Sequence, residues 1–365
     1  MSRDTTGDRI RAKMWMEQAI ELLADTFPHP NPRVGAVVVD RDGRIVGKGA
    51  HQQAGEAHAE VLALAEAGKR AAGGTVIVTL EPCNHHGRTP PCTDTLLDAG
   101  VTNVIVGATD PDVRVAGGGV ERLRDAGVNV LTGVLSDEVE AADPGYFHNR
   151  RTGRPLVTLK LAGTIDGQIA AADGTSQWIS SPESRADAHV LRASSDAVMV
   201  GAGTLRKDDP RLDVRVDGFG GAQPLPVVVA GREPIPDAAR IYERGPLIYA
   251  PQRFEPPAGS ELEVMWHPSG VDVQGMMKDL GSRGVLVLLV EGGPTLARSL
   301  VSAGLVDRLV VYMAAKLAGG AGLPMFSGHW RTLTDAREIE IQDVTRIGPD
   351  VRIDAIFQPA DGMVN

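Results

Sequence analysis

The chain has 365 residues, 42% apolar and 23% charged, and carries a formal net charge of −10. That length predicts two domains, each large enough to bury its own core. The acidic balance argues against a nucleic-acid binder, which normally presents a basic face, but allows a local basic pocket for a phosphorylated small molecule. Met1 to Asp8 lacks the apolar core of a signal peptide. The longest apolar run, Val285 to Val290, is far too short to cross a bilayer. These features predict a cytoplasmic protein with no membrane partner.

In chain order, Met16, Ala19, Ile20 and Leu23 recur at helical spacing and predict an amphipathic helix over residues 9–24. Pro28, Pro30 and Pro32 end it and lead into a valine-rich buried strand. Asp42-Gly43 then makes a turn before a second strand reaching Gly49. Asn31 sits in the proline-rich loop, where its amide can both donate to and accept from a base edge, or can cap the loop. Further elements are a helix from His58 to Ala67, a strand from Thr75 to Leu80, a helix from Thr93 to Ala99 and a strand from Val104 to Gly107. Gly117-Gly118-Gly119 leads a last helix to Ala126. This alternation implies a sheet sandwiched between helices.

The chemistry concentrates between His58 and Cys92. His58, Cys83 and Cys92 can supply the three protein ligands of a catalytic Zn²⁺ and leave the fourth position open for water. A metal there lowers the pKa of that water toward neutrality. Glu60 is not needed as a ligand and is free to carry protons. Residues two apart point to different faces in mid-helix, so His58 and Glu60 make sense together only in a first turn abutting the site. Cys92 precedes a helix whose positive end favours its thiolate. Two other readings stay open. The cysteines, the only two in the chain, can pair as a disulfide, although a reducing compartment disfavours it. Alternatively the zinc is structural, with His85 or His86 as fourth ligand.

The set His-x-Glu, Pro-Cys and a second Cys resembles the zinc-dependent nucleobase deaminases. Many of those place the cysteines two residues apart, whereas eight residues separate Cys83 from Cys92. That insert, Asn84-His85-His86-Gly87-Arg88-Thr89-Pro90-Pro91, is similar to the bifunctional deaminase-reductase family of riboflavin biosynthesis. The resemblance implies that Asn31 and His51 contact the substrate pyrimidine and that Arg88 and Thr89 hold its phosphate. Asp112-Val113 departs mildly from the family's Asp-Pro-Asn-Pro.

Tyr146 to Pro155 reads as a polar linker, dividing a deaminase domain at 1–150 from a reductase domain at 151–365. The strand Val285 to Val290 runs into Gly292-Gly293 and a helix, a junction where backbone N–H groups can approach a phosphate. Gly201-x-Gly203-Thr204 is a second such loop. Neither is the Gly-x-Gly-x-x-Gly fingerprint, which disfavours a Rossmann domain. With Lys160-Leu161-Ala162-Gly163-Thr164-Ile165-Asp166-Gly167 and Ser176-Gln177-Trp178, these segments resemble the reductase half of the same family. The resemblance places NADPH near Ala162, Trp178, Thr204, Asp208, Gly293, Pro294, Thr295, Leu296, Ala297, Arg298 and Ser299. It places the substrate near Ser176, Arg192, Leu212, Arg215 and Glu291.

The expectation is therefore an α/β protein, a cytidine-deaminase-like three-layer domain followed by a dihydrofolate-reductase-like domain. It would be a homo-oligomer that uses Zn²⁺ and NADPH on a phosphorylated pyrimidine. Two rivals remain: a deaminase of nucleic acid or free bases with an appended domain, and an NADP-binding regulatory protein with a structural zinc.

Overall fold

In the computed structural model, which describes residues 6–24, 26–85, 90–112, 117–231, 234–268, 270–327 and 332–358, the valine run forms β1 (Gly35–Val39), buried at every position. β-Branched residues suit a pleated surface covered on both sides. With β2 (Ile45–Ala50), β3 (Thr75–Leu80), β4 (Asn103–Ala108) and β5 (Asn129–Thr132) it makes a five-stranded sheet in the order β2-β1-β3-β4-β5. β1 is antiparallel to β2 and β3, whereas β3, β4 and β5 run parallel and need crossover helices. The helices are α1 (Thr6–Glu21), α2 (Ala59–Ala67), α3 (Cys92–Asp98), α4 (Gly118–Asp125) and α5 (Ser136–Ala142). Ala59, Ala63, Leu96 and Leu123 from α2, α3 and α4 bury against Val76, Val78, Val104 and Val106 on one sheet face. On the other face, Met16 of α1 and Val139 of α5 crowd the space beside Gly107. Three layers result.

The chain divides into two compact units, Met1–Gly153 and Arg154–Asn365. The stretch expected as a linker is instead a helix, α6 (Pro144–Thr152). Asp143 caps it, Pro144 takes the first turn, and Gly153 ends it in the left-handed region at φ 73°. Tyr146 and Phe147 are buried, so the arginines that made the segment look like linker decorate one side of a packed helix. The first helix also differs from its expected span, because the chain turns after Glu21 to bury Leu23.

In the second unit the strands are β6 (Leu156–Thr164), β7 (Gln168–Ala170), β8 (Ala197–Gly201), β9 (Leu225–Val229), β10 (Leu247–Ala250) and β11 (Glu261–Val264). There follow a ribbon of β12 (Trp266–His267) and β13 (Gly270–Val271), then β14 (Val287–Val290), β15 (Arg308–Ala314), β16 (Leu323–Pro324), β17 (Ile339–Ile347) and β18 (Asp350–Phe357). Nine of them form one sheet ordered β11-β10-β9-β8-β14-β6-β15-β18-β17, while β16 pairs with β7. The helices are α7 (Pro182–Ala193), α8 (Ala202–Asp208), α9 (Val273–Ser282) and α10 (Pro294–Ser302). Met276, Met277 and Leu280 of α9 and Ala297 and Leu300 of α10 pack on Leu159, Met199, Leu288 and Val290. From β6 the chain passes to β8 and outward to β11, then returns to insert β14 between them. That reversal sets the C-terminal ends of β6, β8 and β14 side by side, the position at which ligands bind in open α/β sheets. Among the described residues no helix is long and apolar enough to cross a membrane.

Candidate active site

α2 begins one residue after His58, whose extended backbone makes it the N-cap. Glu60 is then the second helical residue, 3% exposed, so the two side chains share a first turn, as their spacing requires. β3 delivers the chain to Glu81-Pro82-Cys83, and Cys92 is the first residue of α3. His58 Nδ1 lies 3.1 Å from Cys92 Sγ and 3.5 Å from Cys83 Sγ, and the three donor atoms lie within 4.8 Å of one another. Zn–S bonds of about 2.3 Å and Zn–N bonds of about 2.0–2.1 Å place tetrahedral donors roughly 3.5–3.8 Å apart. The set fits that ion. The cysteines are not joined by a disulfide. His85 is exposed and outside this donor group; His86, Arg88 and Thr89 lie outside the described residues.

The hydrogen bond with Cys92 pulls the Cys83 thiol down against the opposing effect of burial, with His58 assisting. The same hydrogen bond, together with burial, pushes the Cys92 thiol up. The two thiols thus share one hydrogen bond, and metal binding would deprotonate both. Burial raises the Glu60 carboxyl above the usual carboxylate range. This suits a group that must take up and release a proton near neutrality.

Asn31 and His51 converge on the same place. His51 Nδ1 is 3.1 Å from Ala57 O and its Nε2 3.1 Å from Asn31 Nδ2. With Nδ1–H donating to the carbonyl, Nε2 accepts from the Asn31 amide, which leaves the Asn31 oxygen to accept from a ligand. Burial lowers the His51 pKa and keeps the ring neutral. It stands edge-on to His58, the centroids 5.4 Å apart.

Sequence reasoning assigned no role to Glu81. Its carboxylate, 4% exposed, accepts from Gly117 N (3.0 Å), Gly119 N (3.1 Å) and Val120 N (3.2 Å). The negative charge sits at the positive end of α4 and ties that helix to the loop carrying Cys83. Gly119 is required there, since a Cβ would fall 2.0 Å from Pro82 O. Asn84 completes the brace by donating to Gly118 O (3.1 Å) and accepting from Thr93 Oγ1 (3.1 Å). The signal was an acid beside Pro-Cys and a glycine triplet, legible only once their contact in space is known.

In the second unit Glu291 follows β14 directly. Arg192 of α7 grips it with Nε at 2.6 Å and Nη2 at 2.9 Å, and donates from Nη1 to Asp213 O at 2.9 Å. The paired side chains are only 13% and 11% exposed. Burial alone would raise the Glu291 carboxyl, but the Arg192 guanidinium prevails and holds it at about 2. Lys160 on β6 belongs to this group: burial lowers its pKa while Glu291 opposes the shift. Arg215 is exposed, and its backbone N–H donates to His189 Nδ1 (3.2 Å). Ser176 is half-buried. Trp178 is 63% exposed, with the Arg185 guanidinium 4.4 Å from its ring centroid. It is not a core aromatic. Leu212, at φ 54°, packs in the interior with Leu205, Ile241 and Ile248, so only its backbone is available to a ligand.

α8 and α10 start after Gly201 and Gly293, at the ends of the adjacent strands β8 and β14. Gly293 faces Thr204 Oγ1, and Gly203 faces open space. A Cβ on Gly292 would press to 2.7 Å from the Leu296 side chain, which would have to shift to admit it. Leu296 and Ala297 are buried in the core, whereas Thr295, Arg298 and Ser299 retain exposure and Pro294 opens the helix. The first-turn N–H groups of α10 are left without intrahelical partners and fit a cofactor phosphate. Ala162 on β6 is half-buried and Asp208 at the end of α8 is exposed, although partial desolvation still raises the Asp208 carboxyl.

Residues 10–108 match the family model described as cytidine and deoxycytidylate deaminase zinc-binding region, and residues 155–353 that of the RibD C-terminal domain. Riboflavin biosynthesis protein RibD of Escherichia coli K12 is 42% identical over 341 residues, spanning 88% of this chain and 92% of that protein. RibD of Mycobacterium tuberculosis H37Rv is 43% identical over 345 residues, spanning 93% and 95%. Acinetobacter baumannii RibD, form 2, superposes with a TM-score of 0.89 at 33% identity over 96% of this chain and 100% of that one. The Thermotoga maritima diaminohydroxyphosphoribosylaminopyrimidine deaminase/5-amino-6-(5-phosphoribosylamino)uracil reductase gives 0.85 at 32% identity over the same shares. Both halves of the resemblance are thus matched along nearly the whole length, and the chain belongs to the RibD family of bifunctional riboflavin-biosynthesis proteins.

Proposed function

We propose that the chain catalyses two consecutive steps of riboflavin biosynthesis. The first is zinc-dependent deamination of 2,5-diamino-6-(5-phosphoribosylamino)pyrimidin-4(3H)-one. The second is NADPH reduction of the ribosyl group to give 5-amino-6-(5-phosphoribitylamino)uracil. The observation that carries this reading is the convergence of His58, Cys83 and Cys92 beside the buried Glu60. We assign deamination to residues 1–150 and reduction to 151–365, a division supported by the two compact units and the spans of the family matches.

His58, Cys83 and Cys92 would hold a Zn²⁺, which would lower the pKa of a water bound there. Glu60 takes that water's proton and delivers one to the amine leaving from C2, so water's oxygen enters and ammonia departs. Asn31, oriented by His51, offers its amide oxygen to a donor on the pyrimidine edge. Arg88 and Thr89 receive the phosphate. In the second unit NADPH carries the hydride. Gly293 through Ser299, with Thr204, Asp208, Ala162 and Trp178, line its site. Arg192 holds Glu291 ionised toward the substrate, with Ser176, Arg215 and the Leu212 backbone around it. An ionised Glu291 accepts hydrogen bonds from sugar hydroxyls and is not the acid of the hydride step.

A cytoplasmic location fits the use of NADPH. A homo-oligomer is supported by β17, where a bulge keeps Ile339, Ile341 and Val344 on one face at 40%, 57% and 58% exposure. An apolar strip of this kind is complementary to its own copy; sedimentation as a monomer at micromolar concentration would remove this part of the reading.

Chelation tests the functional assignment. One zinc per chain should be found, and stripping it should abolish deamination while NADPH oxidation on the already deaminated pyrimidine continues. Protein without zinc, and with no gain in activity on adding it, would contradict the assignment.

A further inference from the structure

We infer that α6, the helix closing the first unit, is part of the deaminase, with Asp143 and Arg150 as positioning residues for the loop that bears Asn31. The inference rests on Asn31 being the pyrimidine contact. Neither family match reaches this helix: one ends at residue 108 and the other starts at 155.

The loop needs outside anchors. Pro28, Pro30 and Pro32 have no N–H to give, so a backbone ladder cannot hold Asn31 between them. Besides a turn bond from Asn31 N to Pro28 O at 3.1 Å and the His51 contact of its side chain, two anchors on the flanking residues come from α6 and its cap. Asp143, 4% exposed, accepts from Arg33 N at 2.8 Å through Oδ2 and from Tyr146 N at 3.4 Å through Oδ1. His29 Nε2 stands 3.5 Å from that same Oδ1. One carboxylate thus caps the helix and fixes the chain two residues beyond Asn31. Two turns further along α6, Arg150 Nη2 reaches Pro30 O at 3.5 Å, immediately before Asn31. Its guanidinium is kept there by the Tyr146 ring, 4.8 Å from the centroid, and by Asp112, 3.7 Å from Nε. Asn31 is therefore held from both sides by one helix.

That helix also reaches toward the zinc ligands. The Tyr146 hydroxyl donates to Asp110 Oδ1 at 3.0 Å, and Asp110 N donates at 3.4 Å to Glu81, the carboxylate that braces the Cys83 loop. The Asn31 loop and the metal loop thus share one buried frame, and α6 is the member that touches the substrate loop.

The test uses the intact protein. Deamination kcat and KM are measured for Asp143→Ala, Asn31→Ala and the double variant, alongside zinc content and NADPH oxidation on the deaminated substrate. Asp143→Ala should raise KM about tenfold, the scale of one charge-assisted hydrogen bond, with zinc, reduction and, within about threefold, kcat retained. In the Asn31→Ala background it should add no more than about twofold, because the two residues act through one contact. Asp143→Asn, which keeps an acceptor for Arg33 N–H, should recover most of the KM. If Asp143→Ala fails to fold, Arg150→Ala carries the same expectation at several-fold. An unchanged KM in Asp143→Ala, or effects that multiply in the double variant, would overturn the inference while leaving Asn31 its role. Zinc loss in Asp143→Asn would make the residue a fold determinant and overturn it too. A silent Asn31→Ala would instead remove the Asn31 assignment and this inference with it.

Discussion

Glu60→Gln should lower deamination by roughly 10²–10⁴-fold, the range that a positioned acid–base group contributes. The substitution keeps the size and shape of a residue that is 3% exposed but removes its capacity to hold a proton. The ligand atoms of His58, Cys83 and Cys92 are untouched, so zinc content should remain at the wild-type level. The second unit begins at Arg154, so reduction of the deaminated pyrimidine should proceed at a near-normal rate. Loss of zinc would turn Glu60 into a ligand or a fold determinant, and near-normal deamination would remove it as the proton carrier.

The second large effect is expected from Arg192→Met. Glu291 would be left almost fully buried without its partner, and breaking a buried ion pair from one side typically costs about 3–5 kcal/mol. Reduction should fail, and the second unit should unfold at lower urea, while deamination persists. The pH dependence follows from Glu291 itself, held at about 2 against an ordinary 4.5. Because its folded pKa is depressed, the stabilisation is complete above the ordinary value. It is lost as pH falls from about 4.5 toward about 2, and a shift of that size corresponds to roughly 3 kcal/mol. Arg192→Met should lose this acid-sensitive increment. Urea midpoints measured from pH 7 down to pH 3 would decide the matter. An equal decline in both proteins, or a loss under about 1 kcal/mol at neutral pH, would make the pair incidental to stability.

Much of the first site was legible because its chemistry is local in sequence. His58 and Glu60 are two residues apart and only a helix start brings them together, and Cys92 opens the expected next helix, although burial and the Cys83 hydrogen bond raise its thiol. The strand Thr75–Leu80 was readable to the residue, a β-branched run ending at Glu-Pro. What stayed hidden depends on contacts distant in sequence. Arg192 and Glu291 are 99 positions apart, and nothing short of the insertion of β14 between β8 and β6 brings them together. Glu81 acts through backbone N–H groups of a glycine triplet, which carry no side-chain signature. In α6 the arginines dominate the pattern and conceal the buried Tyr146 and Phe147, so a packed helix read as a linker. Leu212, placed near the substrate by resemblance, has its side chain in the core, so its apolar character in the sequence reports packing while the backbone is what faces a ligand.

The most direct measurement follows product mass when the intact protein meets the 2,5-diamino-6-(5-phosphoribosylamino)pyrimidinone with and without NADPH. Without NADPH the account predicts arrest at the deaminated pyrimidinedione, one amine replaced by oxygen and the ribosyl ring intact. With NADPH it predicts the ribityl product, carrying two further hydrogens, and one NADPH oxidised per turnover. Unchanged substrate in both reactions, or reduction without prior deamination, would contradict it.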